Sequence, residues 1–176
     1  MWPQSFKTSF SFHPHESRRE NLYISPTASV IGDVTLGSQC SIWEHAALRG
    51  DINTIEIGDG SNIQDCCVVH ASPGHPVSIG KNVSVGHGAI VHGATVEDDC
   101  IIGINATVLD GAHIERGSII AAGAVVVPGM HVPAHSLVAG VPGKVIREDE
   151  GMMKAITENA EIYRKLAERY LKGELE

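Results

Sequence analysis

Aliphatic residues return every six positions over most of this chain. They stand at Ile24, Val30, Leu36, Ile42 and Leu48, resume at Ile57, Ile63 and Val69, and again at Ile79, Val85 and Val91. A last series runs through Val96, Ile102, Val108, Ile114, Ile120, Val126 and Val132. Four residues after most of them the side chain is small, as at Cys40, Ala46, Ser61, Cys67, Ala89, Thr95, Cys100, Ala106, Ala112 and Ser118. A period of six is neither the 3.6 of an amphipathic helix nor the 2 of an alternating strand. It fits short strands joined by tight corners, three hexads closing one triangular coil. Each coil then hydrogen-bonds in parallel to the next at about 4.7–4.9 Å. Composition agrees: 43% apolar but only 5% aromatic residues, with 19 glycines, suits a narrow interior of small and β-branched side chains. Glycine often follows the aliphatic directly, as at Gly37, Gly58, Gly80, Gly86 and Gly103, and reads as a residue chosen for the corner's backbone angles.

The register breaks three times. Leu48 to Ile57 is nine residues, Val69 to Ile79 is ten and Val91 to Val96 is five. The first two breaks predict extruded loops of about three and four extra residues, and loops on a rigid scaffold are where function collects. Beyond about residue 147 the grammar changes. Met152, Ile156, Tyr163, Leu166 and Tyr170 fall at helical spacing among charged residues, so one amphipathic helix is expected over roughly 149–172, ending at Gly173. The expected organisation is a β-helix domain over 1–148, with its N-terminal lead-in, and a C-terminal helix over 149–176. That helix packs on the β-helix or on a neighbouring subunit. The fold class is all-β apart from it.

A formal net charge of −8 argues against general affinity for nucleic acid or anionic membrane. There is no leader-like opening and no long apolar run, so a soluble cytoplasmic protein is expected. Cys40, Cys66, Cys67 and Cys100 have neither CxxC spacing nor a secretory context. Three of them occupy the small inward position and are expected to be core.

With the loops removed, Leu48, Val69 and Val91 fall on one face of the prism, one coil apart. Arg49, His70 and His92 therefore stack in one outward column. Two histidines a strand separation apart are close enough to share a metal at nitrogen distances near 2.0–2.1 Å. Ile42, Ile63 and Val85 fall on another face, where Asp65 stacks under His87. His87 cannot easily meet the His70/His92 pair within one chain. A threefold axis parallel to the prism brings the two faces of neighbouring subunits together, so the register predicts a trimer with an intersubunit site. Six further histidines, at positions 13, 15, 45, 113, 131 and 135, read as surface residues.

The segments Leu48-Arg49-Gly50-Asp51, Asn62-Ile63-Gln64-Asp65, Val69-His70 and Gly86-His87-Gly88-Ala89-Ile90-Val91-His92-Gly93 resemble those of the γ-class carbonic anhydrases. Pro142-Gly143-Lys144-Val145-Ile146-Arg147 resembles the general ending of hexapeptide-repeat proteins. The resemblance spans roughly residues 15–148 and implies left-handed coils. It also implies that His70 and His92 of one subunit bind metal together with His87 of the next, and that Arg49 pairs with Asp65 across the interface. Gln64 hydrogen-bonds the metal's water, Asn62 and Asp51 support the pocket, and Tyr163 reaches it from the helix or else packs in the helix's core. Zinc suits three imidazoles, with Fe²⁺ or Co²⁺ as alternatives. Three protein ligands leave a position open for water to become nucleophilic near neutral pH and hydrate carbon dioxide to bicarbonate. The sequence departs from the family's active archaeal members in the loop after His70. Their proton-relaying glutamates are absent from Ala71-Ser72-Pro73-Gly74-His75-Pro76, where His75 either substitutes or is simply solvated. Two other readings remain: an acyltransferase using acyl-coenzyme A, whose relatives usually carry a single catalytic histidine, and a non-enzymatic metal-binding or assembly protein of the ferripyochelin-binding kind.

Overall fold

The computed structural model describes residues 21–175, and the chain there is a parallel β-helix with one C-terminal helix. His13 and His15 lie outside the described residues. Each aliphatic of the hexad series occupies a short strand and points inward. Ile42, Leu48, Ile63, Val69, Val85, Val91, Ile102, Val108, Ile114, Ile120, Val126 and Val132 have no exposed surface. Every such side chain stabilises the fold by about 1.5–3 kcal/mol relative to leaving it in water.

Three faces result. Face A stacks Val30, Leu48, Val69, Val91, Val108 and Val126. Face B stacks Leu36, Ile57, Ile79, Val96, Ile114 and Val132. Face C stacks Ile24, Ile42, Ile63, Val85, Ile102, Ile120 and Val138, and there the chain turns back in the antiparallel strand Lys144–Glu148.

Three local readings need correction. The nine-residue interval from Leu48 to Ile57 is not an extruded loop. One strand, Ala47–Ile57, runs round the corner from face A to face B and carries the extra residues as an irregularity opposite Gly32–Val34. The five-residue interval is absorbed at its corner, where Ala94 takes the buried place and Thr95 is turned out to solvent. The glycines that follow the aliphatics are not corner residues of special conformation. A Cβ on Gly58 would lie 2.6 Å from the backbone of Gly80 in the next coil, so it is space that requires glycine there. Left-handed backbone falls two residues further on, at positions such as Gly60, Cys66, Asn82, Asp99 and Asn105.

The helix Met153–Leu171 lies along face C against Tyr23–Ile24, Ser41–Ile42, Asn62–Ile63 and Ser84–Val85. Its buried stripe is Ile156, Ala160 and Ala167. Trp43 sits among Tyr23, Tyr163 and Tyr170, with ring centroids 5.0–5.6 Å away. The helix stops as Gly173 enters the left-handed region at φ 69°. The Gly173 N–H then reaches the Tyr170 carbonyl and the Glu174 N–H the Arg169 carbonyl, which satisfies two of the helix's last acceptors. Among the described residues no helix is long and apolar enough to cross a membrane.

Candidate metal centre

Parallel pairing places His70 directly beside His92, with Arg49 one coil below. His70 Nδ1 and His92 Nε2 are 3.0 Å apart. Two nitrogens on one tetrahedral ion at 2.0–2.1 Å are separated by roughly 3.3 Å, so the pair needs only a small spreading to fit. The far nitrogen of each ring meets a carboxylate. Asp51 Oδ1 is 3.3 Å from His70 Nε2, and Asp110 Oδ1 is 2.5 Å from His92 Nδ1. A carboxylate behind a ligating histidine fixes its tautomer and raises its basicity.

His87 lies two residues past the strand Ser84–Val85, at the corner leading into face A. Its Nδ1 is 2.8 Å from Asp65 Oδ2, and its Nε2 is 3.3 Å from the Tyr163 hydroxyl. Asp65 thus backs His87 in the same chain, and Arg49 is paired with Asp51 at 2.7 Å. Within a single subunit that exposed Arg49–Asp51 pair adds about 0–1 kcal/mol. Among the described residues no three His, Cys, Asp or Glu side chains gather about one point within the chain.

Asn62 and Gln64 flank the inward Ile63 and project from the prism, but the helix Met153–Leu171 packs against this strand. Both are buried on face C, at 1% and 5% exposure. Gln64 Nε2 donates to Asn62 Oδ1 at 2.9 Å, and Asn62 Nδ2 donates to Ser84 Oγ at 2.8 Å. Gln64 Oε1 accepts the His87 N–H at 3.2 Å, which fixes the amide's orientation next to the histidine.

The loop after His70 is a tight turn in which Ser72 and His75 exchange backbone hydrogen bonds. Ser72 Oγ donates to Asp110 Oδ2 at 2.9 Å, and Asn53 Nδ2 donates to the Ser72 carbonyl at 3.3 Å. His75 is exposed and folds back over Gly93 and Gly111. The His92 hydrogen bond, with help from Ser72 and the nearby His75, holds the Asp110 carboxyl below its usual range. Burial pushes the Asp51 carboxyl up, but the hydrogen bond and charge of Arg49 outweigh it and the net shift is downward. Burial, and then the charge of Asp65, push the Tyr163 phenol up.

Asp110 is the residue that reading the sequence missed. Its signal was present: Val108 stacks on Val91, so Asp110 stands over Gly93, one residue from His92. A Cβ on Gly93 would come 2.4 Å from Asp110 Oδ1, so the glycine makes room for the carboxylate.

Comparison with known proteins agrees with the repeat. Residues 93–128 match the family described as bacterial transferase hexapeptide (six repeats), and residues 76–103 match the hexapeptide repeat of succinyl-transferase. The chain is 56% identical over 150 residues to a probable carbonic anhydrase of Methanocaldococcus jannaschii, covering 85% of this chain and 94% of that protein. It is 50% identical over 94 residues to gamma carbonic anhydrase 1, mitochondrial, of Arabidopsis thaliana, covering 50% of this chain and 34% of that longer protein. A hexapeptide transferase family protein from Anaplasma phagocytophilum superposes with a TM-score of 0.77 at 37% identity, over 85% of this chain and 92% of that one. Taken with the in-register histidine pair, these similarities show that the chain belongs to the γ-class carbonic anhydrase-like family of left-handed hexapeptide-repeat β-helices.

Proposed function

We propose that this protein is a cytoplasmic, trimeric metalloenzyme that hydrates carbon dioxide to bicarbonate. His70 and His92 of one subunit and His87 of its neighbour hold the divalent cation. The single observation carrying this reading is the in-register His70/His92 pair, 3.0 Å apart, with Asp51 and Asp110 behind the two rings. Zinc suits the donor set best, and Fe²⁺ or Co²⁺ share its preference for imidazole. The cation supplies Lewis acidity that makes water a nucleophile near neutral pH. The chain's residues do the rest. Asp51, Asp65 and Asp110 hold the three imidazoles in one tautomer each. Gln64, fixed by Asn62, hydrogen-bonds the attacking water. Arg49 turns from Asp51 to Asp65 of the partner subunit, which ties the interface. Tyr163 closes the pocket beside His87, and His75, at the pocket edge near Asp110, takes up the released proton.

An apolar strip supports the trimer. Val68, Ile104 and Val127 are 39%, 50% and 36% exposed; Val68 lies beside the His70/His92 column, Ile104 stacks one coil above His87, and Val127 stands two coils above His92. Exposed aliphatic side chains flanking the candidate ligands favour an interface on this side of the prism. A second copy supplies both a cover and the missing third imidazole. The four free thiols suit a reducing compartment.

The test is metal content and carbon dioxide hydration measured on one tag-free preparation. His87→Ala should release metal as fully as His70→Ala does. Mixing His87→Ala subunits with His70→Ala/His92→Ala subunits should restore up to about one ion per mixed trimer. Verified mixed trimers with no more metal than either parent would sink the intersubunit site. Metal-loaded wild-type protein without hydration activity would sink the enzyme.

A further inference from the structure

A line of buried polar side chains leads from His87 along face C, where the helix Met153–Leu171 packs on the strands Asn62–Ile63 and Ser84–Val85. It starts at the His87 main-chain N–H, which donates to Gln64 Oε1 at 3.2 Å. Gln64 Nε2 donates to Asn62 Oδ1 at 2.9 Å, and Asn62 Nδ2 donates to Ser84 Oγ at 2.8 Å. Ser84 stands directly beside Asn62 in the parallel sheet and is 1% exposed, so the protein keeps bulk water from its hydroxyl. Only one direction along this line pairs every donor with an acceptor. A main-chain N–H can only donate, so Gln64 turns its oxygen to His87 and its nitrogen to Asn62. Asn62 then accepts through its oxygen and donates through its nitrogen, and the Ser84 hydroxyl accepts at the end. Reversing an amide sets two N–H donors against each other in a buried place, which costs the free energy of an unmade hydrogen bond.

We infer that Ser84 is a positioning residue for Gln64, acting through Asn62. This rests on the reading above, in which His87 holds the metal and Gln64 meets the reacting water. With the hydroxyl in place, one orientation of the two amides is complete and the other is not. Without it, each orientation leaves one unpaired N–H, at Asn62 if the amides stay or at His87 if both reverse. The two arrangements become comparable, and the single orientation is lost. The consequence at the site is one of polarity. Gln64 commits its oxygen to His87 and one Nε2 hydrogen to Asn62, so the hydrogen it has left is a donor for a ligand's oxygen. A reversed amide puts its own oxygen where that N–H was and repels an anionic oxygen such as that of bicarbonate. Ser84 therefore decides, from two side chains away, that Gln64 donates.

Threonine and valine have the same shape and differ only by the hydroxyl, so Ser84→Thr and Ser84→Val separate the hydrogen bond from packing. Amide exchange is followed by nuclear magnetic resonance on the assembled protein and needs no activity. In Ser84→Val the His87 amide should exchange at least about tenfold faster than in Ser84→Thr, because its acceptor is no longer held. The Gly86 and Gly88 amides, which bond to the Ile102 and Asp65 carbonyls, should keep their rates. At equal metal content, kcat/KM for carbon dioxide hydration should fall about 10–100-fold in Ser84→Val, and Ser84→Thr should recover most of it. Should the added methyl spoil both variants, Ser84→Ala against wild type gives the same comparison. Unchanged His87 exchange in the valine variant, equal losses with threonine and valine, or full activity in the valine variant of an active enzyme overturns the inference. Metal-loaded wild type that hydrates no carbon dioxide would defeat the reading of the site instead, and His87 exchange would still decide the role of Ser84.

Discussion

His92 donates from Nδ1 to Asp110, a residue one coil above it and 18 positions on in sequence. Asp110 in turn accepts the Ser72 hydroxyl, so the carboxylate joins a candidate metal ligand to the loop that follows His70. Asp110→Asn keeps the shape but removes the charge behind His92. It should lower metal affinity about 10–100-fold, the usual effect of losing such a partner, while the fold stays intact by circular dichroism. Unchanged affinity by competition with a chromophoric chelator would show that Asp110 serves the loop alone.

A pair of glycines separates backbone strain from crowding. Gly93 and Gly123 both have left-handed backbone, at φ 56° and 67°. A Cβ on Gly123 meets nothing within 4 Å, whereas one on Gly93 runs into Asp110 and into His75 Cβ at 2.8 Å. Gly123→Ala should therefore cost only about 1–2 kcal/mol of unfolding free energy. Gly93→Ala should cost more and also weaken metal binding. Equal losses in urea unfolding would mean that the Gly93 surroundings give way freely.

The thiols divide sharply. Burial pushes Cys40 up to about 11 and Cys67 and Cys100 up to about 12. Reaction needs the thiolate, so at pH 8 a thiol reagent should modify only the exposed Cys66. All four should react after unfolding, and mass spectrometry of the labelled chain distinguishes the two cases. Rapid native labelling of Cys67 would reveal a β-helix that opens.

Four carboxylates are held below their ordinary range, among them Glu161 through its hydrogen bond from Arg164. The His92 hydrogen bond holds Asp110 down, the His113 hydrogen bond holds Glu97 down, and Arg49 holds Asp51 down against the opposing effect of burial. A group depressed in the folded state contributes stability that is full above its ordinary value, about 4, and fades as pH falls through the folded one. Urea unfolding should therefore be nearly flat from pH 6 to about pH 4.5 and fall steeply below. Glu97→Gln and Asp110→Asn should each make the acid limb shallower. An unaltered acid limb in both would assign acid unfolding to other groups.

Much of this was legible in the chain itself, for a reason that also marks the limit. A hexad repeat reports columns: which residue stands above which. Arg49, His70 and His92 fall in line on counting alone, and so do His113 and His131. What counting cannot give is the path round a corner. It left Asn53 and Thr54 in a presumed loop, whereas the strand Ala47–Ile57 carries them through. It showed neither that Asn62 and Gln64 lie beneath the helix nor that Asp65 backs His87 within its own chain. These depend on side-chain reach across neighbouring faces, which carries no period. Gly58 and its counterparts likewise look like turn residues until the next coil is laid against them.

Trp43 is packed against Tyr163 and Tyr170, some 120 residues later in the chain. Most β-helix contacts join one coil to the next and form as the chain lengthens, whereas this one waits for the final helix. The cost of closing so large a loop rises only logarithmically with its length, so the delay weighs on the order of assembly more than on final stability. During synthesis the outer side of face C has no cover until the helix Met153–Leu171 emerges. A ribosome-bound chain ending at residue 148 should hold its hexad core while Trp43 still faces water, leaving the nascent protein a temporarily sticky flank.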